Sequence, residues 1–299
     1  MRLSGQTRGY FFISVPILGF GIAPILIDIA LETIDVYTFL FSRFFLSALL
    51  LTPILSFGYL EKVKSLLRNK YTYYLAICQA VAIVFQYVSQ LFVIPSFSTI
   101  ITKSYLIYVP FIAPVILKER FLSRNVMVAA VGFLGVLLIS GGTTLEFHVQ
   151  TLLGIGAAIV SSLGFAFYIV YSSRMAKDEE VDNLALLLII LWFVALVSAG
   201  LMGINYRNLN PIFTPEVLTI VATLIVFSTL LSYLAYFMAL EEISATTGSV
   251  LLLLQNIPPF LSDVIIFDRK LGGDFIFGSI LIITASIASV YYNQIRENT

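Results

Sequence analysis

Residues 10–31 read YFFISVPILGFGIAPILIDIAL, an apolar run whose one ionisable side chain, Asp28, sits near its end. A helix crosses bilayer hydrocarbon with roughly 20 predominantly apolar residues. Lipid offers no partner to an open amide or carbonyl, so a run of this length is predicted to be a spanning helix. Arg2 and Arg8 precede it, as basic residues precede the core of a signal peptide. The run is too long for that reading and holds no small-residue cleavage pattern. A retained first span is expected.

Runs of the same kind recur along the chain. Spans are expected near 10–31, 36–57, 71–93, 99–117, 124–141, 151–173, 184–204, 217–240, 246–267 and 273–292. None shows the short alternating segments of a membrane barrel. The expected fold class is therefore all-α, a polytopic membrane protein with ten transmembrane helices. Of the 299 residues 59% are hydrophobic and 11% charged, against about 25% charged in a soluble domain. That is too little charge to cover a water-facing surface, and the short loops leave no room for a soluble domain. A net charge of zero argues against a nucleic-acid partner. Cys78 is the single cysteine, so no internal disulfide is expected.

Basic residues set an orientation, because loops rich in Lys and Arg stay in the cytosol. With the N-terminus inside, the cytosolic loops hold Arg2, Arg8, Lys62, Lys64, Arg68, Lys70, Lys118, Arg120, Arg124, Arg174, Lys177 and Arg296. The outer loops hold only Arg207, Arg269 and Lys270. This asymmetry of 12 to 3 supports ten spans with both termini in the cytoplasm of a cell in whose plasma membrane the protein sits. Arg43 and Lys103 fall inside spans.

The two halves of the chain correspond. An offset of 149 sets Pro110 against Pro259, Tyr87 against Tyr236, Leu91 against Leu240, Phe111 against Phe260 and Glu119-Arg120 against Asp268-Arg269. An offset of 145 sets Leu18-Gly19-Phe20-Gly21 against Leu163-Gly164-Phe165-Ala166. Five spans per half is an odd number, so the halves, 1–145 and 146–299, are expected to be two inverted five-helix repeats. Inverted repeats place a binding site at their interface and move it by alternating access.

The fourth span ends in LKERF (117–121) and a glycine-containing span, VAAVGFLGVLL (128–138), follows a short polar link. With the repeat, this resembles the EamA-type members of the drug/metabolite transporter superfamily over nearly the whole chain. Halves in that family end their fourth span in a leucine-glycine-glutamate-arginine type sequence. Here Lys118 stands where glycine is usual, and the second half has Phe267-Asp268-Arg269. The resemblance implies five-plus-five inverted topology and transport of amino acids or similar metabolites, often outward.

Ionisable residues within a span need a partner or a water-filled cavity, since burying one costs roughly 2.5–3.5 kcal/mol. Arg43, Lys103, Asp28 and Asp263 are expected at one membrane level. They form either a charged vestibule that takes the carboxylate of a zwitterionic solute or ion pairs between helices. Arg43 is the deepest, about 10 Å from the outer end of its span. Prolines cluster in the fourth and ninth spans at Pro110, Pro114, Pro258 and Pro259. There they interrupt the helix at corresponding positions, as at transporter sites, or simply kink it. Gln79, Gln86 and Gln90 lie on one stripe of the third span, matched by Ser228, Ser232, Ala235 and Ala239 of the eighth. Gln255 shares a face of the ninth with Pro259, Ser262 and Asp263. Tyr73, Tyr74, Tyr206, Tyr291 and Tyr292 read as an interfacial belt. Tyr87, Tyr105, Tyr108, Tyr168, Trp192, Tyr233 and Tyr236 lie farther in, lining a cavity or packing the core. Gly19, Gly21, Gly132, Gly135, Gly154, Gly156 and Gly164 are read as close helix contacts.

The candidate solute-binding set is thus Arg43, Gln79, Gln86, Tyr87, Lys103, Trp192, Tyr236 and Gln255. The candidate gating and coupling set is Asp28, Asp263, Pro110 and Pro259. An integral membrane enzyme or a channel-like pore is the alternative. The only histidine, His148, is in an outer loop, and there is no Cys/His cluster and no GxxxxGK[ST] phosphate loop. No catalytic residue, metal or cofactor is expected. The expectation is a secondary transporter, an exporter or permease of amino acids or related metabolites. Its partners are the small-molecule solute, the lipid bilayer and protons as a candidate coupling ion, with the protein a monomer or weak homodimer.

Overall fold

The computed structural model describes residues 5–93, 98, 101–118, 121–139, 149–178, 180–204, 214–258 and 273–297. Within them the helices are α1 Gly5–Leu31, α2 Val36–Leu51 with a 3-10 continuation Thr52–Phe57, α3 Leu60–Arg68, α4 Lys70–Gln90, α5 Tyr105–Leu117 and α6 Ser123–Ile139. The second half adds α7 Val149–Ala176, α8 Asn183–Ile204, α9 Pro215–Glu242, α10 Ala245–Leu251 with a 3-10 continuation Leu252–Asn256, and α11 Gly273–Glu297. Six of them (α1, α2 with its continuation, α4, α7, α8 and α9) are long and apolar enough to cross a membrane. Shorter apolar helices supply α5, α6 and α11. Every expected span has its helix, the ninth being described as far as Pro258.

Polar caps open several of these helices by satisfying free amides of the first turn. The Asp35 carboxylate accepts from the amides of Tyr37 and Thr38 at the start of α2. Asn69 does this for α4 and Ser244 for α10. Asp182 accepts from the amides of Leu184 and Ala185 at 3.0 Å and opens α8. Pro215, in the first turn of α9, has no amide to satisfy. The short helix α3 was not among the expected elements. Its nine residues, LEKVKSLLR, are too charged to register as a span, yet Leu66 is buried, and α3 packs against α8 and α4.

Packing follows the repeat. Helix α4 lies along α7, and α1 lies along α9. Helix α5 meets α7 as α1 meets α10, and α5 meets α6 as α10 meets α11. Helices α2 and α8 face each other, as do α6 and α11. Setting α1, α2, α4, α5 and α6 against α7, α8, α9, α10 and α11 maps each of these contacts onto another or onto itself. That is the contact pattern of a duplicated five-helix repeat; an odd number of spans in each half makes the second inverted relative to the first, and the protein is a multi-pass membrane protein of this design. The corresponding glycines sit at corresponding crossings. A Cβ on Gly164 would lie 2.9 Å from the Ala82 amide nitrogen on α4. One on Gly19 would lie 2.6 Å from the Phe227 carbonyl oxygen on α9 and would collide with Ser232 Oγ. Gly156 does not fit the close-contact reading, because among the described residues nothing lies within 4 Å of its added Cβ.

One end of the bundle gathers the basic residues. Lys62 Nζ pairs with Asp182 Oδ2 at 2.7 Å, Asn183 Nδ2 donates to Glu241 Oε1 at 2.6 Å, and Arg8 stands 3.9 Å from Glu242. The Arg174 guanidinium lies 4.1 Å above the Tyr71 ring, and that of Arg124 lies 5.0 Å from the Tyr292 ring. The expected interfacial tyrosines Tyr73, Tyr74 and Tyr291 are exposed, as are Phe11, Leu18, Val115, Leu196 and Phe277 on the outer faces of the spans. This is the apolar exterior that lipid covers.

Candidate solute-binding site

Arg43 is 7% exposed, on the inner face of α2. Its Nε donates to Thr229 Oγ1 at 3.1 Å and its Nη2 to Ser228 Oγ at 3.0 Å. A guanidinium has more donors than two hydroxyls can use. Among the described residues no carboxylate lies within ion-pair distance of it. Both hydroxyls belong to a π-helical stretch of α9, Leu224–Leu231. Successive residues of an α-helix stand about 100° apart, too far for both to meet one guanidinium squarely. The wider turn of i→i+5 bonding narrows that angle. Ser232 Oγ donates to Phe227 O, five residues back, at 2.6 Å. The π turn faces α1 at Gly19, where no side chain separates the helices.

Tyrosines from both halves surround the next turn of α9. Gln79 of α4 is 1% exposed and donates through Nε2 to Tyr233 Oη at 2.5 Å. The Arg43 guanidinium and the Tyr87 hydroxyl lie close to Tyr233. The Tyr233 ring meets Phe20 edge-on at 5.3 Å and Tyr168 at 6.4 Å, and Tyr168 stacks on Tyr236 at 6.3 Å. Tyr105 of α5 and Gln255 at the end of α10 are buried neighbours at the edge of the group. Two polar atoms here are buried with no hydrogen-bond partner among the described residues, Gln79 Oε1 and the Tyr236 hydroxyl. The assembly draws on α2, α4, α5, α7, α9 and α10. Its chemistry is a cation held by hydroxyls beside an aromatic wall with unused hydrogen-bonding atoms.

Of the predicted binding set, Arg43, Gln79, Tyr87, Tyr236 and Gln255 come together here. Lys103 stands at its edge, partly exposed, with Nζ 5.8 Å from the Tyr105 ring and no carboxylate in ion-pair range among the described residues. The glutamine stripe divides: Gln79 is buried, and Gln86 and Gln90 are only half-buried. Trp192 belongs to a different seam. Its Nε1 donates to Thr52 Oγ1 at 3.0 Å and its ring meets Phe45, so both contacts go to α2. Pro110 is buried inside α5, with Pro114 one turn on. Pro259, Asp263 and the side chain of Asp28 lie outside the described residues, as do Glu119, Arg120, Asp268 and Arg269. Thr229 and the π stretch were missed. Adjacent Ser228-Thr229 in an otherwise apolar run was the available signal.

Comparison with known proteins fits this architecture. A crystal structure, described only as that of a protein, superposes with a TM-score of 0.79 over 98% of this chain and 100% of its own, at 15% identity. At that identity the likeness concerns the fold. No curated protein matches the chain. The profile of the EamA-like transporter family matches twice, over residues 7–141 and 152–291, once in each half. These matches describe a membrane transporter of a small molecule and not an enzyme. With its inverted halves and two family matches covering almost its full length, the chain belongs to the EamA-like transporter family.

Proposed function

We propose that the protein is a secondary transporter for a small carboxylate-bearing solute, an amino acid or related metabolite, working by alternating access between repeats divided near residue 145. The observation that supports this is Arg43, a buried guanidinium held by two hydroxyls with no acid beside it among the described residues. A buried charge without a counter-charge is unfavourable, and the planar fork of arginine suits a carboxylate. An arriving carboxylate would supply the missing charge. Gln79, Tyr87, Tyr236 and Gln255 line the same site, with Lys103 at its mouth. Pro110 and Pro259 are assigned to hinge motion and Asp28 and Asp263 to proton coupling. The basic end of the bundle faces the cytosol of a plasma-membrane protein, by the excess of Lys and Arg there.

The test is counterflow in proteoliposomes with a panel of labelled amino acids, with and without a pH gradient. Arg43→Gln is expected to insert normally and to lose at least about tenfold of the flux, the size of a charged hydrogen bond removed. Lys103→Gln should have the smaller effect. Unchanged flux in Arg43→Gln would reject the carboxylate role.

A further inference from the structure

We propose that the paired helices α4 and α7 carry a site for the headgroup phosphate of an anionic phospholipid at the basic end of the bundle, made by Lys70, Arg174 and a cluster of tyrosines. The Arg174 guanidinium lies 4.1 Å from the centre of the Tyr71 ring, and Lys70 Nζ lies 5.3 Å from it. Both are inside the roughly 6 Å reach of a cation–π contact. The two charges come from opposite repeats, and among the described residues no carboxylate is within ion-pair distance of either. Elsewhere at the same end Arg8, Lys62 and Lys64 each have an acid, in Glu242, Asp182 and Glu61. Two cations on one ring repel each other, and the ring does not neutralise them. The seam of α4 and α7 therefore lacks the anion that its neighbours have. A guanidinium has five N–H donors. Among the described residues Arg174 uses only Nη1, on the Ile116 carbonyl oxygen at 3.1 Å. The other donors suit phosphate oxygens, which arginine takes in pairs.

The surroundings select a lipid over a free phosphate. Tyr71, Tyr74 and Tyr171 form a triangle with ring centres 5.6, 6.0 and 6.2 Å apart, and Phe167 stacks on Tyr171 at 6.4 Å. Tyr74 and Phe167 are exposed, as are Ile77 and Leu163, each one turn farther from the basic end. Tyrosines belong at the level of the headgroups, and the apolar strip beyond them fits the start of an acyl chain. Basic pockets between spanning helices hold anionic headgroups in this manner.

The experiment titrates the purified full-length protein in detergent with phosphatidylglycerol or phosphatidylcholine of the same acyl chains. Native mass spectrometry reads the affinity of the first lipid retained. Glycerol 3-phosphate, which has the phosphate without the chains, is the competitor. Wild type is expected to hold phosphatidylglycerol at least about tenfold more tightly than phosphatidylcholine, since each cation near an anionic headgroup is worth about fivefold. Glycerol 3-phosphate at the same concentration should displace neither lipid. Lys70→Gln should weaken phosphatidylglycerol about fivefold, and Arg174→Gln at least as much. Lys64→Gln removes the same charge from another exposed position at that end and should change the affinity by less than about twofold. Equal affinity of wild type for the two lipids overturns the site. So does a loss in Lys64→Gln as large as that in Lys70→Gln, which is the result of diffuse attraction to the whole basic end. Displacement by glycerol 3-phosphate indicates a site for a soluble anion and overturns the lipid assignment. If Arg174→Gln does not fold, Lys70→Gln against Lys64→Gln decides alone, because both side chains are exposed.

Discussion

At the end of α5 the backbone of Lys118 adopts φ 56° and ψ 31°, the left-handed region. It is the one non-glycine residue with positive φ among those described. A side chain there meets its own carbonyl, and glycine closes helices at this position for that reason. The family's usual glycine thus has a conformational cause, and this chain carries the strain instead. Lys118→Gly is expected to raise stability by about 1 kcal/mol and Lys118→Val to lower it, read as shifts of the thermal midpoint in detergent. Asp182 shows a different economy of residues: one carboxylate caps α8 and also holds Lys62 of α3. Partial burial pushes its carboxyl up, but the Lys62 bond and the amides of Ala185 and Leu184 outweigh this and hold it below the ordinary 3.8. A carboxyl lowered in the folded state adds stability above its unfolded value, and that stability is lost as pH falls through the folded one. Between neutral pH and about pH 3, wild type should therefore lose more stability than Asp182→Asn, when both are followed by thermal denaturation.

Among the described helices, α9 is the one with a π-helical stretch. Its π stretch presents Ser228 and Thr229 to α2 on one side and a bare backbone to Gly19 of α1 on the other. The three helices fit only while Gly19 has no side chain. Gly19→Val is therefore expected to push α1 from α9 and abolish flux, and Gly156→Val, with open space around it, to transport normally. Equal flux in the two variants would show that the crossing tolerates separation. Replacing Ser228 and Thr229 together by alanine strips Arg43 of both acceptors. This should destabilise the protein by about 1–3 kcal/mol, the penalty for leaving a buried donor unsatisfied. The short α3 illustrates the opposite case, an element held by its ends: Leu66 anchors it and Lys62 ties it to the start of α8.

For the molecule as a whole, the inverted repeat makes a directional prediction. Helix α7 begins at Val149, which is exposed, and runs to Arg174 at the basic end, where α3 also lies. In a Cys78→Ser background, Lys64→Cys should react with a membrane-impermeant thiol reagent from the cytosolic side only, and Val149→Cys from the outside only. Labelling of both from one side would contradict the arrangement. Much of the cluster was legible beforehand because Arg43, Gln79, Tyr87, Tyr236 and Gln255 are polar residues in apolar runs, and lipid cannot satisfy them. Trp192 carries the same signal but finds its partner in Thr52. A polar atom within a span announces that it needs a partner and not which one.

What the sequence alone settled was the set of spans, the helical class and the duplication, because run length and the lack of backbone partners in lipid act within each segment. Helix α3, the π turn of α9 and the company of Arg43 came only from the tertiary structure. Each depends on contacts between helices of opposite repeats. Sidedness along a helix is written in the order of residues, but the residue that faces it across the bundle, as Thr229 faces Arg43 across 186 positions, is not.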